Sequence, residues 1–293
     1  MSGKLFFADA DSNYSDAAFV IFGAPFDGTS CFRKGSREAP DAIREASYTF
    51  ERYNYNFDID LSEVPFHDMG DVEIKGNHTV EQALIAVEKT VNSIIKDSKI
   101  PIMLGGEHSL TLPCVTASKN KYDDMGVVVL DAHLDLRDIY KGEVNSHACI
   151  SRHIIEDVTD RYVSIGIRSG TKEEYSWVEA QDIACYTADL VVEKGIAYIL
   201  NELNGKLDTQ HLYLSLDMDA IDPAYAPALG TPEPFGLTDR HVLSVIHALA
   251  PRSIGFDLVE IAPQFDSGNT AILGAKFIRE FIASAWAFRK QCA

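Results

Sequence analysis

Residues 126–135 read GVVVLDAHLD, and residues 211–222 read HLYLSLDMDAID. In each stretch a short, nearly unbroken apolar run gives way to acidic residues, joined in the first by a histidine. Runs of this length and apolarity suit strands covered on both faces, as in a parallel sheet. Asp131, His133 and Asp135 alternate by two, as do Asp217 and Asp219. On extended backbone such positions share a face. Each cluster aims its side chains together, and the pair predicts a carboxylate-rich site for two metal ions.

The same pattern extends along the chain. AAFVIFG at 17–23, KIPIML at 99–104, RYVSIGI at 161–167 and SIGFDL at 253–258 read as further strands, with DIACY at 182–186 a weaker one. Between them lie helical patterns. Thr79 and Gln82 form a capping box ahead of the stripe Val80, Leu84, Val87, Val91 and Ile94. Ser36 to Tyr48 carries Pro40 early in a helix, Thr238 caps DRHVLSVIHALA, and a long helix runs from about Thr270 to Lys290. The alternation predicts one α/β domain over 1–293, doubly wound or closely related. No repeat, low-complexity tract or linker marks a boundary.

In open α/β sheets ligands bind beyond the carboxyl ends of the strands. GGEHS follows KIPIML, DAHLD follows GVVVL, DMDAID follows HLYLSL, and LVE closes the last strand. Polar groups at four strand ends thus have a common place to converge. Adding His108, the candidate ligands are His108, Asp131, His133, Asp135, Asp217 and Asp219. Such an oxygen-dominated set suits Mn²⁺ better than Mg²⁺, because of the imidazoles. A structural zinc site would carry more Cys or His and close at four ligands. Six ligands shared between two ions can hold a bridging water and lower its pKa towards neutrality. Taken alone, His108 reads as a satisfied loop histidine, and Asp-rich turns such as DMDAIDP are common; together the clusters read as one metal site.

Composition narrows the function class. Across 293 residues, 26 Lys and Arg face 44 Asp and Glu, a net charge of −18. That disfavours nucleic acid and anionic membranes and is compatible with a cationic substrate, although an acidic, solubilising surface has the same charge. The cysteines, Cys31, Cys114, Cys149, Cys185 and Cys292, are odd in number, scattered and without a CxxC pair, so neither a disulfide framework nor a thiolate zinc site is expected. The start, MSGKLFFADADSNYSD, lacks a signal-peptide apolar core, and no apolar run reaches the ~18 residues of a membrane span. A soluble, reduced, cytoplasmic protein is expected.

With these motifs in place the chain resembles the ureohydrolase family of arginases, agmatinases and guanidino-acid hydrolases. The matching stretches are GAPFDGTSCFRKGSREAPDAIREAS at 23–47, GGEHSLT at 105–111, DAHLDLRD at 131–138, NSHACISR at 145–152, SLDMDAIDPAYAPALGTPEPFGLT at 215–238 and GFDLVEIAP at 255–263. The resemblance implies a three-layer α/β/α fold with a mostly parallel sheet, a dimanganese centre, trimers or hexamers, and hydrolysis of a guanidinium group to urea and an amine. It assigns His108, Asp131, Asp135 and Asp217 to one ion. Asp131, His133, Asp217 and Asp219 go to the other, with Asp131 and Asp217 bridging. His147 matches the family's proton-shuttling histidine; without the family it reads as a surface histidine near a helix start. Glu260 matches the acid that pairs with the substrate guanidinium, whose planar fork of donors suits a carboxylate.

Two departures stand out. Glu107 replaces a common Asp in GGEHS, at a position that is not a ligand, and Phe235-Gly236 replaces a common double glycine, which bears on the shape of the nearby substrate loop. The segment LRDIYKGEVNSHA, with Asp138 and Glu143 beside Arg137, looks more like the agmatinase branch than the Asn- and Ser-rich segment of arginases. The expected reaction is agmatine hydrolysis to putrescine and urea. The alternatives are aminopropylagmatine, arginine or guanidinobutyrate as substrate, a zinc amidohydrolase of the deacetylase type, and a non-enzymatic metal-binding or regulatory protein.

Overall fold

Strands form where the sequence is most continuously apolar, and they assemble into one layer. The computed structural model describes residues 5–292, without the side chains of Asn204, Gln291 and Cys292. The first four residues and Ala293 of the expected domain, and the Cys292 thiol, lie outside the described residues. In chain order the strands are β1 (Phe19–Ala24), β2 (Tyr53–Asn54), β3 (Ile59–Asp60), β4 (Phe66–Asp71), β5 (Ile100–Gly105), β6 (Met125–Leu130), β7 (Tyr162–Ile167), β8 (Ala184–Thr187), β9 (His211–Asp217) and β10 (Ser253–Val259). β2 and β3 form a short antiparallel pair. The other eight make one sheet in the order β4-β1-β5-β10-β9-β6-β7-β8, every pairing parallel.

The helices are α1 (Ala39–Ser47), α2 (Val80–Lys96), α3 (Thr111–Lys119), α4 (Ile150–His153), α5 (Lys172–Gln181), α6 (Ala188–Lys194), α7 (Ile196–Lys206), α8 (Asp239–Leu249) and α9 (Asn269–Cys292). Strand residues alternate between two cores, as the pleat requires. Phe19 and Ile21 of β1, with Val128 and Leu130 of β6, pack beneath α1, α8 and α9. Val20, Phe22, Val127 and Val129 face α2 and α3. The result is the expected three-layer α/β/α architecture. Each fully buried Val, Ile or Phe contributes roughly 1.5–3 kcal/mol relative to exposure.

The capping signals are where the sequence places them. Thr79 Oγ1 accepts the Gln82 N–H at 3.3 Å while Gln82 Oε1 accepts the Thr79 N–H at 3.0 Å. The α2 stripe buries Ala83, Val87, Val91, Ile94 and Ile95. Thr238 caps α8 by accepting the His241 N–H at 3.2 Å.

One sheet strand is absent from the sequence expectation. β4, FHDMGD, mixes apolar and acidic residues because its carboxylates neutralise a buried cation. Arg44, 1% exposed, donates from Nε and Nη2 to Asp68 at 2.8 and 3.1 Å and from Nη1 to Asp71 at 2.5 Å. An ion network at a sheet edge does not show in a hydrophobic pattern. Cys31, Cys114, Cys149 and Cys185 are free thiols, and among the described residues no helix is long and apolar enough to cross a membrane.

Candidate active site

The four central strands, β5, β10, β9 and β6, are neighbours in the sheet although the chain reaches them in a different order. Their carboxyl ends carry His108, Glu260, Asp217 with Asp219, and Asp131 with Asp135. All six candidate ligands therefore meet over the middle of the sheet. His108 Nδ1 lies 3.1 Å from Asp131 Oδ2, 3.2 Å from Asp217 Oδ2 and 3.3 Å from Asp135 Oδ2. His133 Nδ1 lies 3.1 Å from Asp219 Oδ2 and 3.6 Å from Asp131 Oδ1. Two groups have donor atoms close enough for one ion each: His108, Asp131 and Asp135, and Asp131, His133 and Asp219, with Asp131 common to both.

In three of the carboxylates a backbone amide occupies one oxygen and the other faces the cluster, where Asp219 Oδ2 also accepts from Thr231 Oγ1 at 3.1 Å. Asp131 Oδ1 accepts the His133 N–H at 2.6 Å, Asp217 Oδ1 the Asp219 N–H at 2.8 Å, and Asp219 Oδ1 the Ala132 N–H at 3.1 Å. His108 Nδ1 and Asp131 Oδ2 are buried without a hydrogen-bond partner of good geometry. Buried polar atoms left unpaired are costly, and a shared cation would satisfy both. The donor set, four carboxylates and two imidazole nitrogens, fits a pair of divalent ions with mixed oxygen and nitrogen preference.

Electrostatics points the same way. Burial and the charges of Asp219 and Asp131 push the Asp217 carboxyl well above the ordinary carboxylate range. Burial and Asp131 raise Asp135 to about 7. Burial opposes charge on His108, yet Asp131, Asp135 and Asp217 raise its pKa well above the usual value for histidine. Without a cation, so much clustered negative charge holds protons instead.

Supporting residues orient the ligands. His108 Nε2 lies 3.2 Å from Ser215 Oγ, which donates to the buried Asp257 at 2.6 Å; Tyr213 donates to the other Asp257 oxygen at 2.8 Å. With the Ser215 proton committed to Asp257, Nε2 is the donor to Ser215, and Nδ1 would offer its lone pair to a bound cation. Gly106 lets the loop after β5 pass close to Phe26, where an added Cβ would meet the Phe26 carbonyl. Asp135 and Glu260 sit in the left-handed region at φ 51° and 66°. Each costs about 1–3 kcal/mol of strain and lies where the strand turns over the sheet end.

Glu260 is buried against the ligands. Its Oε1 accepts the His108 N–H at 2.8 Å, and burial and Glu107 raise its pKa to about 8. His147 starts a short 3-10 turn, with Nδ1 2.8 Å from Thr29 Oγ1, and burial lowers its pKa to about 4. Glu260, His147 and the candidate ligands His108, His133, Asp135, Asp217 and Asp219 line one cavity of about 300 Å³, together with Arg137, Tyr140 and Glu174.

Arg137 is held there, with Nε 3.8 Å from Glu174 Oε2 and its guanidinium 4.8 Å from the Tyr140 ring centre. Its carboxylate neighbour is Glu174, not the adjacent Asp138 or the nearby Glu143; Asp138 pairs with Arg152 instead. The 231–236 loop is pinned by Arg168, which donates to the Asp219, Ala220, Glu233 and Pro234 carbonyls. Phe235 there adopts φ 66° and is 83% exposed, while a Cβ at Gly236 would collide with Arg168 and the Asp222 backbone. The first position of the usual pair thus asks for a left-handed backbone that Phe235 adopts at a cost, and the second excludes a side chain on space alone.

The sequence reading passes over Thr29, Ser215, Asp257, Glu174 and Arg168. Ser215 and Asp257 carry a usable signal, since a polar residue inside an otherwise apolar strand needs a buried partner. The others do not: they depend on which loops meet.

Comparison with known proteins agrees with this geometry. An agmatinase of Halalkalibacterium halodurans is 39% identical over 286 residues, covering 96% of each chain. One of Bacillus anthracis is 37% identical over 287 residues, again covering 96% of each. The crystal structure of an agmatine ureohydrolase of Thermoplasma volcanium superposes with a TM-score of 0.93 at 42% identity, covering 100% of this chain and 98% of that one. A model described as the arginase family matches residues 17–283. By that match and by the convergence of the four strand ends, the chain belongs to the arginase family.

Proposed function

We propose that the chain hydrolyses agmatine to putrescine and urea in the cytoplasm, as one catalytic domain with two Mn²⁺ ions. The arginase family is one of binuclear metal-dependent enzymes, and the clustered His and Asp groups can hold metal. The observation that carries the reading is the junction of Glu260 with the ligand cluster in a single cavity. A buried acid beside two metal sites selects a cationic group for hydrolysis, and the similar chains named above are agmatinases. An assembly of several copies, trimer or hexamer, follows from the family resemblance.

His108, Asp131, Asp135 and Asp217 would hold one ion, and Asp131, His133, Asp217 and Asp219 the other. When bound, the ions supply a water of lowered pKa and offset developing negative charge. The guanidinium charge would hold Glu260 ionised against the upward push of burial, and the carboxylate then accepts paired hydrogen bonds from it and sets its carbon towards the ligand cluster. Water adds its oxygen to that carbon, the bond to the alkyl nitrogen breaks, and the departing amine takes up a proton. Asp135 would supply that proton, and His147, in the same cavity, would exchange protons with solvent.

A guanidino acid is the second reading, favoured by Arg137 in the cavity wall, where it meets a carboxylate if released from Glu174. Urea release from agmatine, aminopropylagmatine, guanidinobutyrate and arginine with Mn²⁺ decides between them. The highest kcat/KM for agmatine is expected. A preference for guanidinobutyrate assigns Arg137 the substrate's far end, and no urea from any of them defeats the enzymatic reading.

A further inference from the structure

Glu107 is fully buried and lies outside the ligand set, yet it gathers a full set of donors. Its Oε2 accepts the N–H groups of Thr29 at 2.7 Å and Ser30 at 3.1 Å, with Ser30 Oγ at 3.5 Å. Its Oε1 accepts the hydroxyls of Thr29 and Ser109, each at 2.6 Å. These partners bring protons to the carboxylate, so Glu107 acts as an acceptor.

That fixes the Thr29 hydroxyl. A threonine hydroxyl has one proton and two acceptor sites, and here the proton is committed to Glu107. What remains on Oγ1 is acceptor capacity, and two groups of His147 use it. The backbone N–H of His147 donates at 3.1 Å, and Nδ1 lies at 2.8 Å. A hydrogen bond between Nδ1 and an oxygen with no proton to give requires the proton on Nδ1. The neutral ring then carries its lone pair on Nε2. In free histidine the Nε2–H tautomer is the usual one, so this arrangement selects the other form.

We propose that Glu107 and Thr29 are positioning residues that set the tautomer of His147, keeping Nε2 of the neutral ring free as the proton acceptor in the cavity. Burial favours the neutral ring at physiological pH. The Tyr140 ring, edge-on at 5.6 Å and 82°, packs against it. The Glu107 side chain reaches across from the loop after β5 to the loop after β1, and the histidine it governs comes from a third segment. The kinetic consequence rests on the proton-relaying role given to His147 above; the tautomer itself does not.

The test uses the full chain labelled with ¹⁵N in its histidine rings and loaded with diamagnetic Mg²⁺. The His147 signals are assigned by their loss in His147→Asn. The wild-type ring is expected to show a protonated Nδ1 and an unprotonated Nε2. Thr29→Val should return the ring to the Nε2–H form, while Thr29→Ser keeps the wild-type pattern. Glu107→Gln, whose amide can donate to Thr29, should also shift it.

With Mn²⁺ and agmatine, Thr29→Val should lower kcat by about 10- to 100-fold at unchanged KM and metal content, with Thr29→Ser restoring turnover. A wild-type Nε2–H ring, or a Thr29→Val ring identical to wild type, overturns the proposal. So does a Thr29→Val defect that tracks lost metal or a raised KM. If no guanidine yields urea, the functional reading falls, while the ring signals still decide the relay. If Glu107→Gln does not fold, the two Thr29 variants carry the test.

Discussion

Glu260 Oε1 accepts the backbone N–H of His108 at 2.8 Å, so the acid proposed to hold the substrate and a candidate metal ligand are tied together across the ends of β10 and β5. The bond places the guanidinium subsite at a set distance from the ligand cluster. It needs only an acceptor oxygen, whereas substrate binding needs the negative charge. Glu260→Gln keeps the first and loses the second. Hydrogen bonds to charged groups contribute about 1.5–3 kcal/mol, so kcat/KM for agmatine should fall about 10- to 100-fold with metal content unchanged. Steady-state kinetics and elemental analysis check both halves; unchanged kinetics would remove Glu260 from the substrate site.

Metal binding should depend on both the ligands and the residues behind them. Asp217→Asn is expected to abolish urea release and leave fewer than two Mn²⁺ per chain after dialysis. Ser215→Ala removes the oxygen beside His108 Nε2 and should weaken Mn²⁺ binding by about 10- to 100-fold, read by titration with the metal. One tightly bound Zn²⁺ per wild-type chain would contradict the two-manganese proposal.

His147→Asn should retain both ions and slow turnover by roughly 10²–10⁴-fold, the usual range for a lost proton-transfer group. Loss of metal in this variant would place His147 among the ligands instead.

Away from the site, Glu280 on α9 is 2% exposed, with Oε2 2.8 Å from His247 Nε2 and Oε1 2.9 Å from Lys276 Nζ. Burial alone would raise its pKa, but hydrogen bonds from His247 and Lys276 bring it down to about 2. Since the folded value is depressed, the contribution to stability is full above the unfolded carboxyl value and is lost as pH falls towards 2. Glu280→Gln should therefore lower Tm by several degrees at pH 7, on the order of 2 kcal/mol. The gap to wild type should narrow below about pH 4.5. Thermal unfolding across pH 3–7 measures it, and a gap independent of pH would show that the charge is not what stabilises.

Most of the sheet was legible because its strands are apolar on both faces, and β6 and β9 show how directly that pattern maps to structure. β4 was not, because Asp68 and Asp71 are buried by pairing with Arg44, a cost and compensation that only contact reveals. The ligands were legible for a related reason. Carboxylates at several buried strand ends together need partners, and alternation by two sets Asp131, His133 and Asp135, or Asp217 and Asp219, to one side. The support behind them was hidden: Ser215 and Asp257 look like isolated polar residues until β9 and β10 are seen in register.

By itself the sequence determined the strand ends, the chemical type of the candidate ligands and the family resemblance, since these follow from local periodicity and from residue order. Only the tertiary structure decided that β5, β10, β9 and β6 are adjacent, so that four separate motifs share one cavity. It also decided the contact of Glu107, Thr29 and His147, which come from three different loops. Local sequence sets backbone propensity and side-chain direction, but a hydrogen bond between distant segments exists only once the sheet has set their spacing.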